Sequence, residues 1–373
     1  MIKRLLALIL TLATLLSLVA CGGYEPVPST EEESRTVMTL TVNEKVYDVK
    51  YELYRAFFLT YKAQLLDDED ALFSDDADEY IDAINERVID AISEVYSAFY
   101  VCENIGVDLD SRAYKKRING FIDDSIAAIQ LFYTDDEGNS PSDEAAYAIY
   151  LERLKASYLN YSVSVLLYKY ELALEAIDNY YFGSVDYNDP SLSGTLGALE
   201  YTKEDIREFY ESDESVKLYV ATIAATAANA KDRAESLKAR LDEAKAGGEE
   251  AVIDTIIANS TISVTSEIEA GTVIGKHSLD KFYYGDYIDA AFSLDYGEVS
   301  EVIEIVDGKS DGYYILYKAQ KSASHFEENY PDIAFSYVTN AVGKIRFSAK
   351  DKLASNARFT DEYFSIVHAT ISI

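Results

Sequence analysis

The chain has 373 residues, with 66 Asp and Glu against 33 Lys and Arg, a formal net charge of −33. That length suits two or three domains with a sizeable core, and 49% hydrophobic with 27% charged residues describes a folded soluble body. The charge excludes nucleic-acid binding, which draws its affinity from Lys and Arg on phosphates, and excludes a polybasic membrane surface. Trp is absent while Tyr numbers 32 and Phe 15, so tyrosine must supply much of the large-side-chain packing.

Residues 1–20 read as a signal peptide. Lys3 and Arg4 are followed by an apolar run from Leu5 to Ala20, broken only by Thr11, Thr14 and Ser17. As a helix the run spans about 24 Å, short of a membrane crossing. Its end, Leu18-Val19-Ala20-Cys21-Gly22, resembles the lipobox of bacterial lipoproteins. The resemblance implies cleavage before Cys21 and lipid on its sulfur, giving an extracytoplasmic, membrane-anchored protein. Loss of Lys3 and Arg4 takes the charge from −33 to −35. Residues 21–37 then form a lipidated Cys and a Gly-, Pro-, Ser- and Glu-rich tether. With Cys21 lipidated only Cys102 remains, so no intrachain disulfide forms, and Cys102 falls on an apolar helix face as an inert thiol.

Met38–Val42 and Val46–Val49 flank Asn43-Glu44-Lys45 as a hairpin. Helices dominate from Tyr51. Ile81, Ile84, Val88, Ile92, Val95, Phe99 and Cys102 make one apolar stripe, and Gly106 stops that helix. A second helix spans about Ser111–Phe132, and Ser142 caps a third, long pattern running to Phe182. Residues 183–200 carry the turn formers of a linker. Beyond it the spacing predicts a short helix from Thr202, a strand over Val216–Thr226, a polar helix over Asn229–Ala246 and a short helix at 249–259. A helix around Tyr287–Leu294 and strands at Val299–Val306 and Tyr313–Ala319 complete a small α+β domain. Helix returns from Phe326 to about Ser355, and Ile366–Ile373 reads as a final strand. The segments at Thr39–Val42 and Val367–Ile373 are expected to pair.

Residues 271–317 resemble the parvulin-type peptidyl-prolyl isomerase domain. Gly271-Thr272-Val273-Ile274-Gly275 matches its Gly turn, Ala290-Ala291-Phe292-Ser293-Leu294-Asp295-Tyr296-Gly297-Glu298-Val299-Ser300 its Ala-Ala-Phe-x-Leu-x-x-Gly-Glu-Val-Ser stretch, and Gly312-Tyr313-Tyr314-Ile315-Leu316 its last strand. The order of signal, strand, long helices, parvulin-like domain and C-terminal helix resembles the extracytoplasmic foldases of the SurA and PrsA type. The resemblance implies an α+β protein: a mainly helical chaperone domain from residues 38–200, an inserted parvulin-like domain at 201–321, and a helix and strand at 322–373 returning to the first domain.

Aligned to that frame, the two histidine positions become Thr222 and Tyr314, and the proline-pocket positions become Tyr283 and Tyr287. The third polar position, near Asn259-Ser260, holds no acid or thiol. His277, His325 and His368 lie elsewhere, His277 as a partly exposed loop residue. Tyr147, Tyr150, Tyr158, Tyr161 and Tyr168 offer an aromatic face for unfolded polypeptide or ordinary core packing. Asp67-Asp68-Glu69-Asp70 and Asp75-Asp76 lack the Gly and ligand spacing of an EF-hand and read as a solvated acidic loop rather than a Ca²⁺ site. No metal or cofactor is implied. The reading is a foldase or chaperone binding unfolded exported polypeptides, with isomerase activity weak or absent. An active isomerase is the first alternative and a solute-binding lipoprotein the second.

Overall fold

A computed structural model describes residues 26–65, 77–133, 139–182, 194–196, 198–261, 270–305 and 311–371. Cys21 and the acidic stretches at 67–70 and 75–76 lie outside the described residues. The chain divides into two compact units, one spanning Asp178–Ile345 and the other joining the chain before it to the segment from Arg346 onward. Helices and small antiparallel sheets together make it an α+β protein, as expected.

In the discontinuous unit, β1 (Thr36–Val42) pairs antiparallel with β2 (Lys45–Lys50), and Asn43, at φ 53°, sits in the turn between them. Helices follow: α1 (Tyr51–Leu65), α2 (Ala77–Asn104), α3 (Arg112–Phe132), α4 (Asp143–Ala156) and α5 (Tyr161–Tyr181). The α2 stripe is buried at Ile84, Val88, Ile92 and Cys102, each of the aliphatic chains worth roughly 1.5–3 kcal/mol of burial. Cys102 donates its thiol to the Ala173 carbonyl at 3.4 Å, and burial pushes its pKa up to about 12, so it is an inert core thiol.

The structure departs from the sequence expectation at three places in this unit. The long third helix is two helices. Ser142 does cap α4, accepting from the Ala145 N–H. After Ala156, however, the Leu159 N–H turns back to the Leu154 carbonyl and Tyr158 adopts φ 60°. Asn160 then caps α5 by accepting from the Val163 N–H. Neither Gly nor Pro marks the break, which is why periodicity runs through it. Second, the C-terminal strand is not at 366–371. Those residues belong to α12 (Asp361–Ile371), residues 372 and 373 lie outside the described residues, and the strand is β9, only Arg358–Phe359, with Met38 opposite Phe359 and Thr39 opposite Arg358. Phe359 stacks on Tyr363 at 3.9 Å and edge-on to Tyr54 at 6.1 Å, so an aromatic cluster fixes the short pairing. Third, the tether region is ordered before residue 37. The Thr30 N–H donates to the Glu33 carboxylate, the Glu33 N–H to Thr30 Oγ1, and the Glu33 and Arg35 carbonyls accept the first N–H groups of α1.

The other unit starts at the end of α5 and contains a small hairpin, β3 (Gly194–Leu196) with β4 (Leu199–Tyr201). The remainder of the expected linker, 183–193, lies outside the described residues. Thr202 and Asp205 form a reciprocal capping box on α6 (Lys203–Glu211). Then come β5 (Ser215–Ala224), α7 (Ala230–Ala244), α8 (Glu249–Asn259), β6 (Thr272–Gly275), α9 (Lys281–Ser293), β7 (Ile303–Ile305) and β8 (Gly312–Ala319). The strand expected from Val299 is shorter: Val299 makes only a bridge to Tyr317 before β7. The strands form one antiparallel sheet in the order β6-β5-β8-β7. Two further helices, α10 (Ala323–Glu328) and α11 (Tyr330–Ser355), meet at Asn329 rather than forming one. The division between units falls inside α11, after Ile345.

Candidate functional site

Strand alternation sorts the four-stranded sheet into two faces. Tyr219, Ala221 and Ile223 of β5, with Ile315 and Tyr317 of β8, pack on Ala234, Leu237 and Leu241 of α7 and on Val252 and Ile256 of α8. Val216 and Leu218, with Leu316, pack against Ala291 of α9, joined by the half-buried Val220, Ile274, Tyr287 and Ile303. Thr222 shares the parity of Val216, Leu218 and Val220 and so belongs to the α9 face.

The register sets Thr222 directly opposite Tyr314, and Tyr314 opposite Ile303 on its other side. Gly312 closes the end of this pairing opposite Ala224. A Cβ there would come within 2.7 Å of the Ile223 carbonyl, so only glycine lets the strands approach. Thr222 is buried, while Tyr314 and Tyr287 are half-buried. The Tyr287 ring stands edge-on to Tyr314 with centroids 6.2 Å apart at 90°. Burial first, then Tyr314 and Asp280, hold the Tyr287 hydroxyl well above the ordinary phenol range, so it stays neutral. Three of the four positions aligned to the parvulin site therefore converge on one face. The fourth, Tyr283, lies on α9 with its side chain outside the described residues.

The segment at the third polar position has a structural task. Because β6 pairs with β5 only from Ser215 to Leu218, the far half of β5 would leave its backbone unpaired on that edge. The Thr222 N–H donates to Ser260 Oγ at 3.0 Å, the Thr261 N–H donates to the Thr222 carbonyl at 2.8 Å, and the Ala224 N–H donates to Thr261 Oγ1 at 2.8 Å. Ser260 and Thr261 complete the sheet edge behind Thr222. The sequence places hydroxyls there, but only the shortness of β6 explains them.

The histidines do not join this face. His277 is a half-buried loop residue whose backbone N–H donates to Asn340 Oδ1 at 2.7 Å. His325 is buried, stacked on Tyr210 at 5.8 Å, with Nε2 donating to the Ala270 carbonyl at 2.8 Å and Nδ1 3.1 Å from the Tyr210 hydroxyl. Both ring nitrogens are thus engaged in packing. His368 lies on α12, in the other unit, its side chain outside the described residues. The described groups at the candidate positions on the α9 face are hydroxyls and aromatic rings, which pack and hydrogen-bond.

Of the tyrosines considered for polypeptide contact, Tyr150 and Tyr168 are core residues, with Tyr147 and Tyr161 packed against them. Tyr158 is exposed, at 38%. Among the described residues no group of three or more His, Cys, Asp or Glu is arranged to hold a metal ion, and no helix is long and apolar enough to cross a membrane.

No family model matches the chain, and no curated protein matches it. Its structure is similar to that of PrsA from Bacillus subtilis, at 16% identity over 72% of this chain and 82% of that one, TM-score 0.24. Foldase protein PrsA from Streptococcus pneumoniae matches at 18% identity over 75% and 88%, TM-score 0.28. The PrsA foldase of Lactococcus lactis matches at 12% identity over 91% and 99%, TM-score 0.22.

Proposed function

We propose that the chain is a foldase of the chaperone kind, anchored outside the cell membrane through lipid on Cys21. It binds unfolded exported polypeptides, and its parvulin-like unit is weak or inactive as an isomerase. Foldase is also the word carried by the names of the similar solved structures. The observation that carries the isomerase part is the pairing of Thr222 with Tyr314, one strand apart on the α9 face, where the parvulin frame has two imidazoles.

Rotation about a prolyl amide must overcome a barrier of about 18–20 kcal/mol set by amide resonance. Lowering it requires a site that favours the twisted, less conjugated amide over the planar one. Thr222 Oγ1 and the hydroxyls of Tyr287 and Tyr314 can hydrogen-bond an amide, but they bind planar and twisted forms with little distinction. Each 1.36 kcal/mol of lost discrimination costs about tenfold in rate. Binding an unfolded chain requires no such discrimination, only aromatic and apolar surface.

The test pairs a proline-isomerisation assay on a short peptide with suppression of aggregation of an unfolded protein. Suppression without measurable isomerisation is expected. A kcat/KM of roughly 10⁴ M⁻¹s⁻¹ or more would restore the enzyme, and inactivity in both assays would favour a solute-binding role.

A further inference from the structure

We propose that the cleft between β6 and the first half of α11 binds extended segments of cationic polypeptide, through Lys or Arg side chains with apolar neighbours. This rests on the reading of the chain as a polypeptide binder and names the chemistry of what it binds. The cleft is half open, with a volume of about 520 Å³, within the range of pockets that take a drug-sized group such as one or two side chains. It lies wholly within the unit spanning Asp178–Ile345.

Its lining has two parts. Val273, Ile274 and Ile333 form an apolar floor, and Phe335, 45% exposed and 6.1 Å from Phe182, stands on the rim. Asp280 and Asp332, both exposed, supply carboxylates, and no Lys or Arg is among the lining residues. Neither carboxylate has an ion-pair partner among the described residues. Asp280 accepts one hydrogen bond from Ser278 at 3.1 Å. His325 brings no compensating cation, since burial of its ring pulls its pKa below the ordinary histidine value although the bond to the Ala270 carbonyl works against this.

A side chain with an apolar stem and a cationic head matches this arrangement: the stem lies along the half-buried Ile274 and the exposed Phe335 while the head reaches a carboxylate. A chain of net charge −33 draws such segments in and repels acidic ones. Recognition runs through side chains rather than strand addition. The Val273 carbonyl, which points away from β5, already accepts from Ser336 Oγ at 2.6 Å, so α11 occupies the edge an added strand would use. Ile274 also belongs to the cluster around Tyr287, which makes the cleft floor continuous with the candidate site.

The test uses the full-length protein and a dye-labelled, proline-free decapeptide of alternating Lys and Leu, with a Glu-for-Lys counterpart, read by fluorescence anisotropy. The double variant Asp280→Asn, Asp332→Asn should bind the Lys peptide about tenfold more weakly, and Phe335→Ser should weaken it several-fold. The control Glu235→Gln, Glu243→Gln removes the same charge from exposed positions on α7 and should bind as wild type does. Equal weakening in the control, wild-type affinity in the cleft variant, or equal affinity for the Glu peptide would each overturn the proposal. Aggregation suppression separates the two readings. A cleft variant with unchanged peptide affinity beside a wild type that suppresses aggregation refutes the cleft alone, whereas a wild type that fails to suppress refutes the chaperone reading on which the cleft depends.

Discussion

Glu171 gives a stability prediction whose sign and size follow from its surroundings. It lies on α5, half-buried, with carboxylate Oε1 buried and lacking a hydrogen-bond partner. Burial alone pushes its pKa from 4.5 up to about 7. Between those two pH values the native state holds a proton that the unfolded state has released, so stability falls as pH rises through this window. Above pH 7 the full penalty is present: at 1.36 kcal/mol per pH unit the gap amounts to about 3 kcal/mol, and solvent screening of a half-buried group trims this to about 2. Glu171→Gln keeps the shape and removes the charge. The variant should therefore melt about 4–8 °C above wild type at pH 8 and by less than half that margin at pH 5.5, using 2–4 °C per kcal/mol for a unit of this size. Thermal unfolding of both proteins at each pH, followed by circular dichroism, measures the difference, in which the acidity of the remaining chain cancels. An equal margin at the two pH values would refute the reasoning.

Two further outcomes are expected. Cys21→Ala should block lipid attachment and leave the body soluble or uncleaved in cell fractionation; a correctly cleaved variant that stays in the membrane fraction would sink the anchor. Burial pushes the pKa of the Glu94 carboxyl above its ordinary range, although the Arg346 guanidinium and the Tyr170 hydroxyl, donating to it at 2.8 Å, pull the other way. Arg346→Met should raise that pKa further and destabilise the discontinuous unit by roughly 1–3 kcal/mol in urea titration, and an unchanged urea midpoint would refute the coupling.

Local chemistry was legible in the sequence. The α2 stripe, the Ser142 cap, the Thr202–Asp205 capping box and the turn at Asn43 are each decided by residues within a few positions of one another, and helix and strand formation respond to that range. The parvulin resemblance singles out Tyr287 and Tyr314 within the matched stretches from Gly271 to Leu316, and Thr222 in the separate segment Tyr219–Ile223. What needed tertiary structure were the features made by distant chain segments. The break at Tyr158 carries no Gly or Pro signal and is held by the Leu154 carbonyl and the Asn160 cap. The strand beside β1 is Arg358–Phe359 because Tyr54 and Tyr363 fix Phe359, whereas the apolar run after it is helical, with Tyr363 and Ile366 buried at a spacing of three. Ser260 and Thr261 acquire a role only because β6 stops at Leu218's partner, and the cleft of Asp280, Asp332 and Phe335 joins residues more than fifty positions apart. A sequence specifies the period and the caps of each element directly. Which elements meet, and which polar groups are left facing a cleft, is settled only when the apolar faces have been buried against one another.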